Sequence, residues 1–116
     1  MITLDASHPS GPAEQVRAQI AALIQSGELD ADERLPSVRQ LAGDLRVAAG
    51  TVAKAYKELE AAGLVRTGRA NGTRVNPGQL LDAPALREVR RLVAAARNAG
   101  MSLDDVLGIV AVTWNA

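Results

Sequence analysis

The chain has no cysteine, which excludes a disulfide framework, a thiolate metal site and a thiol nucleophile. Its single histidine, His8, stands beside a proline in a stretch without periodic pattern and cannot build a histidine cluster. Tyr56 and Trp114 are the only aromatic residues, and each lies on an apolar helical stripe, where core packing explains it better than stacking on a base. No apolar run approaches the roughly 20 residues of a membrane span. The N-terminus lacks the basic region and apolar stretch of a signal peptide, so the expected location is cytoplasmic, with no membrane partner. Asp104 and Asp105 are adjacent carboxylates, but at a helix start they favour the macrodipole and point in different directions. Without a nucleophile-base pair or a metal-ligand cluster, the expectation is a protein with no catalytic residues, no metal and no cofactor.

What the chain does have is 116 residues with 47% apolar content, enough for one compact domain plus an appendage but not for two large cores. Its net charge is zero, yet the charges are unevenly placed. Up to Glu33 the balance is −5, with only Arg17 against six acids. From Arg34 to Arg74 it is +5, because Arg34, Arg39, Arg46, Lys54, Lys57, Arg66, Arg69 and Arg74 outnumber Asp44, Glu58 and Glu60. A basic block of this kind is an electrostatic footprint for phosphate, whatever the total charge.

The basic block coincides with the most patterned stretch. Ser37, with Gln40 three residues later, can form a capping box just after Pro36, and Val38, Leu41, Ala42 and Leu45 give the following helix one apolar face. Arg46 to Gly50 breaks the pattern. Val52, Ala55, Tyr56 and Leu59 then mark a second helix, which Gly63 stops. Leu64-Val65-Arg66-Thr67 and Thr73-Arg74-Val75 read as two strands around Gly68 to Gly72, a loop that forms a basic wing. That loop lacks the Lys-Ser/Thr ending and the helix start of a phosphate-cradling loop.

Around this centre, Met1 to Pro12 reads as an extended arm and about Ala13 to Ser26 as a first helix, with Val16, Ile20, Leu23 and Ile24 on one face and Gly27 at its end. Leu29 to Leu35 is an acidic connector. Asn76-Pro77-Gly78 closes the first unit. Asp82-Ala83-Pro84 then offers a cap for a fourth helix carrying Leu86, Val89, Val93 and Ala96 on one face, stopped at Gly100. Ser102 with Asp105 repeats the capping logic for a fifth, whose stripe is Leu103, Val106, Leu107, Val110, Ala111 and Trp114. Two such helices cannot hide these faces from water by themselves, and a second copy of the chain is the preferred cover. Gly50, Thr51, Lys54 and Lys57 lie opposite the apolar face of their helix. Arg39 falls in a first helical turn, where the dipole disfavours a cation and an external anion would account for it.

The residues Leu35-Pro36-Ser37-Val38-Arg39-Gln40-Leu41-Ala42, Val47, Thr51-Val52, Ala55-Tyr56, Leu59-Glu60, Gly63-Leu64-Val65 and Gly72-Thr73 with Val75 resemble the winged helix-turn-helix domain of GntR-type bacterial transcription regulators. The resemblance covers about residues 13 to 75, and the two-helix tail is similar to that of the YtrA subfamily. It implies a mostly α fold with a small β-hairpin: a winged helix-turn-helix DNA-binding domain over 1–78 and a two-helix dimerisation region over 79–116, without a large effector domain.

It also implies that Arg39 contacts DNA, that Ser37 adds a phosphate contact, that Ala48, Ala49, Gly50 and Thr51 form the turn and the start of the recognition helix, and that Arg69, Ala70, Asn71 and Gly72 form the wing tip. Many members carry a hydroxyl residue at position 48 and a polar one at 49. Alanine at both leaves methyl contacts to thymine or close backbone approach. The usual aromatic near the wing's end is Arg74 here, and the usual Pro-Gly before the Leu-Pro-Ser motif is Ala31-Asp32.

The expected function is therefore a sequence-specific regulator, a homodimeric repressor whose recognition helices enter successive major grooves of a palindromic double-stranded operator. The expected dimer contacts are Leu86, Val89, Val93, Leu103, Val106, Leu107, Val110 and Trp114. A protein-interaction module built on a winged domain is the alternative, and a basic recognition face favours DNA over it. The sequence does not identify an effector, and a two-helix tail leaves little volume beside the roughly 300 Å³ of a usual ligand site.

Overall fold

A computed structural model describes residues 2–68, 70 and 72–116. The chain divides into two compact units, Met1–Leu80 and Leu81–Ala116.

The first unit is built on three helices and a hairpin. α1 spans Pro12–Gln25, one residue earlier at each end than the apolar pattern predicts, because Pro12 occupies the first helical turn, where its missing N–H costs nothing. α2 is Val38–Leu45 and α3 is Ala49–Ala61. β1, Val65–Gly68, pairs antiparallel with β2, Gly72–Val75, in the register Val65↔Val75, Arg66↔Arg74, Thr67↔Thr73 and Gly68↔Gly72. α3 is the hub: α1, α2 and β1 all pack on it. Val52, Ala55 and Leu59 of α3 meet Val16, Ile20 and Ile24 of α1 and Val65 and Val75 of the hairpin in one core. Each of these valine, leucine and isoleucine side chains contributes roughly 1.5 to 3 kcal/mol by leaving water.

Two segments are more ordered than their composition suggests. The N-terminal arm has no helix or strand, but two glutamines of α1, one helical turn apart, act as its hydrogen-bonding edge. Gln19 accepts from the Thr3 N–H at 3.0 Å and donates to its carbonyl at 2.6 Å. Gln15, itself buried, accepts from the Asp5 N–H at 2.8 Å and donates to the carbonyls of Asp5 and Ser10, each at 2.9 Å. Ile2 and Leu4 are thereby held against the core.

The acidic connector before α2 adds a third run of chain to the hairpin. The Asp32 N–H donates to the Val75 carbonyl at 2.8 Å, Val75 N–H to Glu33 at 3.0 Å, and Leu35 N–H to Thr73 at 2.8 Å, with Arg34 bridged to Arg74. Leu35 consequently points into the core while Arg34 points away from it.

In the second unit, α4 spans Ala83–Asn98 and α5 spans Leu103–Trp114. Asp82 holds the N-cap position of α4 without a side-chain cap bond, whereas Ser102 accepts from the Asp105 N–H at 3.1 Å and caps α5. Gly100, at φ +72°, ends α4 in a conformation that other residues adopt at a cost.

Candidate nucleic-acid interface

The capping box read from the sequence is present at the start of α2. The Gln40 N–H donates to Ser37 Oγ at 3.1 Å, and the Ser37 N–H donates to Gln40 Oε1 at 3.1 Å. Ser37 Oγ is thus used as an acceptor, which leaves its hydroxyl proton able to reach an outside phosphate oxygen. Arg39 is exposed in the first turn of this helix, and no carboxylate among the described residues pairs with it. A cation at the positive end of the dipole, without an internal counter-ion, is placed to meet an external anion.

α3 begins at Ala49 with Ala48 as its N-cap, and no side chain caps it. Ala48, Ala49 and Gly50 are exposed and Thr51 is half-buried. With only methyl groups and hydrogen at its first positions, the helix start offers backbone N–H groups and dipole to whatever approaches closely, a favourable setting for phosphate. Lys54 and Lys57 are exposed on the side away from Val52, Ala55, Tyr56 and Leu59, which are buried, as the periodicity requires. The Tyr56 hydroxyl donates to the Pro36 carbonyl at 2.7 Å, so α3 is tied to the residue that precedes the Ser37 cap.

At the wing, Ala70 is exposed and Gly72 has φ +63°. Arg69 and Asn71, both expected at the tip, lie outside the described residues. Two other arginines of the basic block have partners within the fold. Arg66 is ion-paired with the Asp32 carboxylate and donates to the Val75 carbonyl at 3.1 Å, while Arg74 donates to the Asp32 carbonyl at 2.8 Å. Asp32 occupies the left-handed region at φ +65°, the place where glycine is at ease. Neither Asp32 nor Arg34 is a site residue in the sequence reading. No local pattern marks them, since Asp32, Glu33 and Arg34 are all exposed and only Leu35 turns inward.

The tail displays more apolar surface than one stripe. Val89 and Val93 of α4 and Leu103, Leu107, Val110 and Trp114 of α5 are exposed, the last at 85%, and Leu86 and Val106 are half-buried. Leu92, Ile109 and Val112, outside the expected contact set, are exposed as well. α5 is therefore apolar on most of its circumference, the character of a helix made to be enclosed. An open groove of about 350 Å³ lies along the α4–α5 pair, lined by Val93, Ala96, Arg97, Met101, Leu103 and Val106. That volume reaches the lower end of the range for small-molecule sites, at roughly 300 Å³.

A helix pair with an exposed cation at one helix start and a bare second helix start, followed by a basic hairpin, defines a winged helix-turn-helix domain of the gene-regulatory kind. The comparisons agree. The family model of bacterial regulatory proteins, gntR family, matches residues 12–75, and the chain belongs to that family. It is 39% identical over 94 residues to the HTH-type transcriptional regulator Rv1152 of Mycobacterium tuberculosis, covering 81% of this chain and 78% of that one. It is 32% identical over 112 residues to the HTH-type transcriptional repressor YtrA of Bacillus subtilis, covering 91% and 86%. Among solved structures, YtrA from Sulfolobus acidocaldarius, a GntR-family transcription factor, superposes with a TM-score of 0.62 at 30% identity, over 84% of this chain and 97% of that one. The chain is thus a YtrA-like transcription regulator with a DNA-binding winged domain, not an enzyme.

Proposed function

We propose that the protein is a homodimeric repressor that binds a palindromic operator. Residues 1–78 act as the DNA-binding domain and 79–116 as the dimerisation region. Each recognition helix, α3, enters a major groove, and successive half-sites are separated by one helical turn, about 10 base pairs. Lys and Arg side chains, Lys54 and Lys57 among them, supply phosphate contacts and counter-ion release, while Arg39, the start of α3 at Ala48 to Thr51 and the wing residues Arg69 to Gly72 select the sequence. The observation that carries this reading is Arg39: an exposed guanidinium at a helix N-terminus, with no carboxylate partner among the described residues, in the same unit as an uncapped helix start. A regulator of this kind works in the bacterial cytoplasm. No described helix is long and apolar enough to cross a membrane.

The dimer rests on the exposed apolar faces of α4 and α5. Burying Val89, Val93, Leu103, Leu107, Val110 and Trp114 against the same residues of a second copy removes from water an area that a lone chain leaves wet. Repression follows from occupancy of an operator, and YtrA of Bacillus subtilis is named a repressor. Selection of bound fragments from random duplex DNA by the purified protein tests the whole reading. Recovery of an inverted repeat with half-sites about 10 base pairs apart is expected. Recovery of no enriched sequence would reject it in favour of a protein-interaction module.

A further inference from the structure

The outer face of the wing sheet carries three arginines in one row. Arg66 pairs with Arg74 across the hairpin, and Arg34 of the connector bridges to Arg74 from its other side. Directly paired residues point to the same face of a sheet, and strands lie about 4.8 Å apart, so the three cationic side chains leave neighbouring strands side by side. The opposite face belongs to the core, where Val65, Val75 and Leu35 are all at most 2% exposed. Like charges placed directly opposite one another destabilise a sheet, and a solvated hairpin has no packing reason to carry three.

One carboxylate serves this row. Asp32 lies two residues before Arg34, hence on the same face, and holds Arg66 through its side chain and Arg74 through its carbonyl. Arg34 has no ion pair with any carboxylate among the described residues. Its guanidinium instead leans over Gly72, with Nε 2.9 Å and Nη2 3.1 Å from the point where a Cβ would stand. Gly72 is paired with Gly68, so this end of the face carries no side chain of its own. The result is a shallow hollow of about 120 Å³, lined by Arg66, Thr67, Gly68, Gly72 and Arg74 and overhung by Arg34.

We infer that this face is a second phosphate-binding surface, separate from the starts of α2 and α3 and adjoining the wing tip at Gly72, and that it takes the sugar-phosphate backbone of duplex DNA. The inference deepens the reading of the chain as a DNA-binding regulator and rests on it. In the free protein Asp32 is the resident counter-ion of Arg66, and an arriving phosphodiester shares or takes over that role, while Arg34 supplies a donor fork that is already uncovered. Polymeric backbone suits the geometry better than a small free anion. The hollow is open, and the Arg66 and Asp32 side chains are 48% and 66% exposed, so a lone ion there would stay largely hydrated.

Salt dependence of binding separates this surface from a merely structural role. Affinity for the selected duplex and for a random duplex is measured by fluorescence anisotropy from about 50 to 200 mM salt, where each released counter-ion contributes roughly 0.9 to the log-log slope. Arg34→Gln is expected to flatten the slope by about one and to weaken both duplexes alike, whereas Arg34→Lys retains the slope. Asp32→Asn, with a residue that tolerates positive φ, is expected to bind both duplexes more tightly with an equal or steeper slope, since it frees Arg66. Wild-type affinity and slope in both Arg34→Gln and Asp32→Asn would overturn the inference while leaving the regulator reading intact. Absence of any salt-dependent duplex binding by the wild-type chain would overturn both.

Discussion

The phenol of Tyr56, on α3, donates its proton to the carbonyl oxygen of Pro36, just ahead of α2, at a distance of 2.7 Å. Tyr56 is 5% exposed, and burial pushes its phenol up from the ordinary 10.0 to about 12. The unfolded chain therefore releases this proton first as pH rises. The contribution is fully present below pH 10 and is lost between about 10 and 12, where the folded phenol ionises in turn. Tyr56→Phe is expected to cost roughly 1 kcal/mol at neutral pH, by leaving the Pro36 carbonyl without its partner. The same variant should lose stability less steeply than wild type through that alkaline window. Urea titrations of both proteins across the window check the sign, and parallel pH profiles would contradict it.

α3 begins without a side-chain cap because Ala48, at φ −65° and ψ 145°, already has cap geometry but no oxygen. Ala48→Ser should therefore stabilise the fold by about 1 kcal/mol, read as a raised midpoint of urea unfolding. The added hydroxyl also gives the helix start a group for a base edge, so the duplexes selected by the variant should differ from those selected by wild type.

Trp114, at the last position of α5, is 85% exposed. Trp114→Asp places a charge where the proposed dimer buries an indole. A monomer is expected in sedimentation velocity, together with much weaker operator binding, because two half-sites are no longer engaged at once. An intact dimer would remove α5 from the interface.

Much of the fold was legible because local signals and global packing agree. Ser37 and Gln40 form the capping box their spacing announces, Val52, Ala55, Tyr56 and Leu59 are buried as period 3.6 demands, and Gly63 at φ +78° stops α3. The connector was harder. Its acidic composition describes a solvated loop, but Leu35 and Arg34 alternate because the hairpin edge offers unpaired carbonyls and N–H groups, a long-range partner that no local pattern reveals.

Charge counting had the same blind spot. The block from Arg34 to Arg74 is basic in sequence, yet Asp32, just outside it, neutralises part of it in space. At the arm, the prolines and glycine excluded regular structure, but only the fold brings Gln15 and Gln19 to the backbone of Asp5 and Thr3. For α5, helical periodicity marks a single stripe, whereas Ile109 and Val112 extend the apolar surface around the helix.

Whether Arg39 at the start of α2 meets DNA is read from the operator affinity of Arg39→Ala, measured by anisotropy on the selected duplex beside wild type. A loss of roughly 1 to 3 kcal/mol, about 5- to 150-fold in Kd, is expected, with relaxed preference at one position in each half-site. Operator affinity and sequence preference equal to wild type, in a variant with an unchanged unfolding midpoint, would contradict it.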